Sequence, residues 1–142
     1  MRTTLAMLVA TAMLASSVAA QEDKGSGNVM VPLCRSWLRI HSGDAEAVTN
    51  EIGRNGGEAL RRFETAGICA GFVRGVSEVL RMLNEPPRTP GIAPVCMPTN
   101  ATNDQLVRVV VSFAEHHPEM TNEDFVVVTT MAMATAWPCI KP

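Results

Sequence analysis

Residues 58–84 read EALRRFETAGICAGFVRGVSEVLRMLN, and this stretch decides the fold class. Phe72, Val76, Val79, Leu80 and Leu83 recur at i, i+4, i+7, i+8 and i+11, which predicts one apolar helix face. Arg74, Glu78, Arg81 and Glu85 fall on another face with alternating sign at three- and four-residue spacing, as on a solvated helix surface. Gly67, Gly71 and Gly75 repeat every four residues. Each costs about 1 kcal/mol in a helix interior relative to alanine, so three on one stripe predict a second backbone lying very close. Membrane helix pairs use the same spacing. Arg74 and Glu78 within the segment favour close packing in a soluble core instead.

Outward from this helix the pattern stays helical. On the N-terminal side, Leu33, Trp37 and Ile40 recur at i, i+4 and i+7, predicting a helix over 30–41 with Pro32 in its first turn. Gly43 would end it, and 44–48 could start a short helix before Gly53, Asn55, Gly56 and Gly57. On the C-terminal side, five prolines and Gly91 make 85–98 a loop. Thr102 and Gln105 form a capping-box pair before an apolar run at 106–116, and Pro118 lies just beyond its end. The four valines at 107 and 109–111 would suit a strand, but those boundary signals favour a helix. Thr121 and Asp124 repeat the start signal before 125–137, which is apolar nearly all round and so reads as a buried central helix ended by Pro138. The expected fold is all-α, a single-domain bundle of about four helices.

The chain has 142 residues, which fits one domain. Met1–Ala20 has the three parts of a secretory signal: Arg2, an apolar run at 5–15, and small residues before Gln21. The run is about half of the roughly 20 residues that a spanning helix needs, so cleavage after Ala20, export to the periplasm and no membrane insertion are expected. Residues 21–29 read as a flexible polar lead-in and 30–142 as the folded domain. Without Arg2, 11 basic and 14 acidic residues remain, a net −3 that argues against nucleic-acid binding. Six aromatic residues, none of them tyrosine, leave little for base-stacking or sugar-binding shelves. All four cysteines, Cys34, Cys69, Cys96 and Cys139, follow the export signal, an even count that implies two disulfides in an oxidising compartment. Three connectivities are open.

No constellation asks for catalysis, a metal or a cofactor. Adjacent residues His116 and His117 would point about 100° apart on a helix, which does not build one ligand sphere. Met131 and Met133 read as core side chains of an apolar helix. Nucleophile elbows, phosphate loops, zinc-protease motifs and paired nearby thiols do not occur. The expectation is a non-enzymatic protein.

Four short motifs then line up in order. Gly67-Ile-Cys69-Ala-Gly71-Phe72-Val73-Arg-Gly75-Val76 resembles the CxGYxxGV segment of the Rap/Tai family of type VI secretion amidase immunity proteins. Val95–Pro98 with Thr102–Val110 resembles that family's CxP and TxxQLxxVV stretch. His117-Pro118-Glu119 matches its HPE turn, and Ala132 through Trp137-Pro138-Cys139 its closing segment. The resemblance implies a small exported helical protein with disulfides that binds a peptidoglycan amidase effector and occludes its Cys–His cleft, in some members as a homodimer. Phe72 stands where the family commonly has tyrosine, so any hydroxyl contact there is lost. The expected connectivity is Cys34–Cys69, tying the first helix to the glycine-rich one, and Cys96–Cys139, pinning the proline-rich loop to the C-terminus. A protruding loop could fill the amidase cleft, and Arg88-Thr89-Pro90-Gly91 is the candidate partner-binding segment. The matching residues are glycines, cysteines, prolines and caps, which specify fold rather than partner. A periplasmic stress chaperone or envelope accessory protein with the same fold is the alternative.

Overall fold

The structure is a computed structural model and describes residues 25–42, 56–84 and 94–139. Four α-helices follow one another: α1 (Gly27–His41), α2 (Gly56–Asn84), α3 (Asn103–His116) and α4 (Phe125–Ala136), with a 3-10 turn at Pro118–Asn122 between the last two. The fold class is all-α, and two isolated bridges, Ser26 with Asp124 and Val95 with Pro138, are the extended pairings among the described residues. No described helix is long and apolar enough to cross a membrane.

Helix α3 forms where its start signal says. Thr102 Oγ1 accepts from the Gln105 N–H at 3.3 Å, and Gln105 Oε1 accepts from the Thr102 N–H at 2.9 Å, so both halves of the capping box are made. Leu106, Val107 and Val110 are fully buried, and α3 touches each of the other helices. Helix α4 touches the other three as well, but its uniform apolarity does not make it buried all round. In α4, Phe125, Val128, Thr129, Ala132 and Met133 are buried, while Val126, Val127 and Met131 are exposed. Of the two methionines expected in the core, only Met133 lies there. The α4 start also differs. Asp124 is the N-cap residue without a side-chain cap bond, and Thr121 belongs to the 3-10 turn, where its hydroxyl donates to the Pro118 carbonyl at 2.7 Å.

Helix α1 begins at Gly27, three residues before the expected Met30, so 27–29 join the helix and Pro32 lies beyond its first turn. The earlier start is fixed from outside. Gly27 donates to the Glu123 carbonyl at 3.0 Å, and Phe125 donates to the Gly25 carbonyl at 2.7 Å. The other end of α1 is tied to α3 by Trp37, whose Nε1 donates to Asp104 Oδ1 at 3.1 Å. The stop expected at Gly43 and the short helix expected at 44–48 lie outside the described residues.

Helix α2 overturns two expectations. Its buried face carries Ala59, Ala66, Cys69, Ala70, Val73, Ser77 and Leu80. Of the face expected inside, Leu80 is buried and Val76 packs against the core, whereas Phe72 and Val79, at its flank, are 39% and 53% exposed. Small side chains let α1 approach closely enough for Cys34–Cys69, with Cα atoms 5.2 Å apart and both cysteines fully buried. The glycine stripe is not covered from within: among the described residues nothing lies within 4 Å of a Cβ built at Gly67, Gly71 or Gly75. Ser77, the polar member of the buried face, donates to the Arg74 carbonyl at 2.7 Å.

Candidate interaction surface

Residues 88–91 lie outside the described residues, but both ends of the loop that carries them are placed. Asn84 closes the loop at its base: its side-chain amide donates to the Val95 carbonyl, and its Oδ1 accepts from the Val95 N–H at 3.3 Å. Val95 is buried. One residue on, Cys96 donates to the Trp137 carbonyl at 2.8 Å and joins Cys139 in the second disulfide, with Cα atoms 4.9 Å apart. The excursion thus starts from a helix end and returns to a disulfide-tied strap. From the strap the chain runs to α3 under two α2 arginines. Arg81 donates to the Pro98 carbonyl at 2.7 Å, and Arg74 to the Ala101 carbonyl at 3.3 Å.

The second feature is apolar. Between α2 and α4 lies an open groove of about 810 Å3, lined by Phe72, Val79, Leu83, Phe125, Val126 and Thr130, with Asp124 at its rim. The Phe72 and Phe125 rings meet at 5.1 Å in its floor. Along α2 the apolar surface continues past the groove to Ile68 and Met82, 53% and 72% exposed. Large apolar side chains left in water on one helix face mark an interaction surface rather than a core. Sequence reasoning missed this surface because it assigned the large apolar residues of α2 to the interior. The signal was present as an apolar arc on one helix that is wider than the single stripe a surface helix needs.

The histidine corner has local partners. His116 Nδ1 lies 2.7 Å from the Ser112 carbonyl in the last turn of α3. His117 contacts Glu119 at 3.2 Å, and its ring lies 4.5 Å from that of Phe113. The Glu119 carboxyl is held below the ordinary glutamate range, first by a backbone N–H bond and second by the His117 bond. A groove of about 600 Å3 beside these histidines carries Arg108 and Ser112 on α3 and Thr135 on α4. All four cysteines are in disulfides, so none is available as a nucleophile. Among the described residues no group of three His, Cys, Asp or Glu side chains is placed to hold a metal ion. The chemistry on display is apolar contact and shape.

A comparison with family models finds one described as Rap1a immunity proteins, which matches residues 26–139. The match takes in all four described helices, both disulfides and the loop between α2 and the strap. No curated protein and no solved structure matches the chain.

Proposed function

The chain belongs to the Rap1a immunity protein family, and from that premise we propose that it protects its producer by binding and blocking a peptidoglycan amidase delivered by type VI secretion. The observation that carries this reading is the extent of the family match, which runs from the residue before α1 to the last disulfide cysteine. Action in the periplasm, after removal of residues 1–20, is part of the proposal. Two disulfides in so small a domain support it, because such bonds persist in oxidising compartments. The protein acts by binding and not by catalysis.

The loop carrying Arg88-Thr89-Pro90-Gly91 is proposed to enter the amidase cleft. Its base is held by the Asn84–Val95 pair and the Cys96–Cys139 bond, and a loop held at both ends loses less freedom on docking. The test uses the oxidised chain beginning at Gln21 and a candidate amidase in a peptidoglycan hydrolysis assay. Stoichiometric inhibition at nanomolar concentration supports the proposal. A panel of amidases that keep full activity in its presence refutes it and favours the chaperone or accessory role. Replacing 88–91 with a Gly-Ser linker should weaken inhibition at least tenfold, and unchanged inhibition would remove the loop from the interface.

A further inference from the structure

His116 and His117 are neighbours in the chain, and both border the groove of about 600 Å3 between α3 and α4. His116 is the last residue of α3, and His117 has left the helix, at φ −129° and ψ 64°, so the angle of a regular helix does not separate their rings. Each ring already uses its Nδ1. In His116 this atom meets the Ser112 carbonyl at 2.7 Å, and in His117 it meets Glu119 Oε1 at 3.2 Å. A carbonyl or carboxylate oxygen only accepts, so both Nδ1 atoms carry a proton. The neutral rings are left with Nε2 as the acceptor each can offer to a ligand.

The same groove carries a cation. Arg108 lines it, and among the described residues no ion pair or hydrogen bond engages the Arg108 guanidinium. Acidic residues outnumber basic ones in the chain, 14 to 12, yet no carboxylate is among the described residues that line the groove. Glu119, the partner of His117, is not one of them. Ser112 on α3 and Thr135 on α4 add a hydroxyl from each helix. The rest of the lining is apolar and mostly small: Val109, Phe113, Ala132 and Ala136.

We propose that this groove binds a short peptide with a free carboxylate and small apolar side chains. The carboxylate pairs with Arg108, whose planar fork matches it with two parallel hydrogen bonds. The ligand's N–H groups donate to the histidine Nε2 atoms, and its side chains rest on the alanines and Val109. Length agrees with this placement. Arg108 and His116 stand eight positions apart on α3, about 12 Å along the helix axis. Three extended residues span about 10 Å. A volume of about 600 Å3 also falls within the range of small-molecule sites. Two sources supply this chemistry: cell-wall peptides, which carry D-alanine, and proteolytic peptides, which carry the L form. The site uses α3 and α4 and shares no residue with the 88–91 loop, so it does not rest on the amidase reading.

A two-dimensional amide NMR titration of the oxidised chain from Gln21 with trialanine, in all-L and all-D forms, tests the proposal without any amidase. At least one form should shift the amides of Val109, Phe113 and Thr135 saturably, with a Kd of about 1 mM or below, the scale that so few non-hydrogen atoms reach. The form that binds more tightly names the source. Trialanine amide, which lacks the carboxylate, should bind at least tenfold more weakly. Arg108→Gln should weaken binding as much and keep the far-UV spectrum, because its side chain is exposed and holds no described partner. Arg39→Gln, on α1 and outside the groove, should bind like wild type. The proposal is overturned if neither form shifts those amides saturably up to about 20 mM, far above the constant so small a ligand needs for binding. It is overturned as well if the amide binds as tightly as the acid, if Arg108→Gln binds like wild type, or if Arg39→Gln loses as much as Arg108→Gln.

Discussion

Two glycine-to-alanine substitutions in the same bundle should move stability in opposite directions. Gly67 lies within α2 with nothing inside 4 Å of a Cβ built on it, among the described residues. Alanine there removes backbone freedom from the unfolded chain and collides with nothing, so Gly67→Ala should stabilise by about 1 kcal/mol. Gly27 opens α1, and a Cβ there would sit 2.9 Å from the Thr121 carbonyl oxygen, 3.0 Å from Thr121 Cα and 3.2 Å from Val128 Cγ2. Two of those atoms are backbone, and the 3-10 turn that owns them cannot rotate away as a side chain could. Relief means stretching the Gly27–Glu123 hydrogen bond or shifting the Ser26–Asp124 bridge, and overpacking of this kind costs roughly 1–3 kcal/mol. At about 4 °C per kcal/mol for a domain of this size, the midpoints should rise by ~4 °C for Gly67→Ala and fall by ~4–12 °C for Gly27→Ala. Thermal melts followed by circular dichroism would measure both, with disulfides intact and the protein dilute enough to keep self-association out of the midpoint. A fall in the Gly67→Ala midpoint would mean that a backbone does pass over the stripe, and a neutral Gly27→Ala would mean that the α1 start is not confined as described.

Three further outcomes are expected. The Thr129 hydroxyl is fully buried without a hydrogen-bond partner among the described residues, so Thr129→Val should stabilise by about 1 kcal/mol in urea denaturation, whereas a loss would reveal a partner for the hydroxyl. Because the Glu119 carboxyl is held below its ordinary value, its contribution is present at neutral pH and is lost as pH falls through the lowered value; Glu119→Gln should be slightly less stable than wild type at pH 7, and the gap should close in acid, below about pH 4.5. Cys34–Cys69 is buried in the core and Cys96–Cys139 lies in the more accessible strap, so thiol reductant should open the second bond first, and peptide mapping of partly reduced protein should show Cys96 and Cys139 alkylated ahead of Cys34 and Cys69.

Much of the bundle is legible in the sequence because its signals are local. The Thr102–Gln105 box acts over four residues and the helical period across 58–84 repeats at every turn, and each corresponds to what the structure shows, as does the even cysteine count, which needs no positions at all. The cysteine pairing needs more, since it joins residues 35 and 43 positions apart that only the packed helices bring together. The candidate surface was legible only in part. Arg88–Gly91 stood out as a proline-restrained loop, but what holds that loop at its base is the tertiary pairing of Asn84 with Val95.

The sequence by itself determined that Phe72, Val79 and Leu83 share one face of a helix, but periodicity says which residues lie together and not which way they look. The tertiary structure decided the direction. Helices that approach closely enough for Cys34 to reach Cys69 have room between them for alanine, cysteine and serine, so α2 is turned toward Cys69, Ala70 and Ser77, with Leu80 still inside and Phe72 and Val79 left partly exposed at the flank.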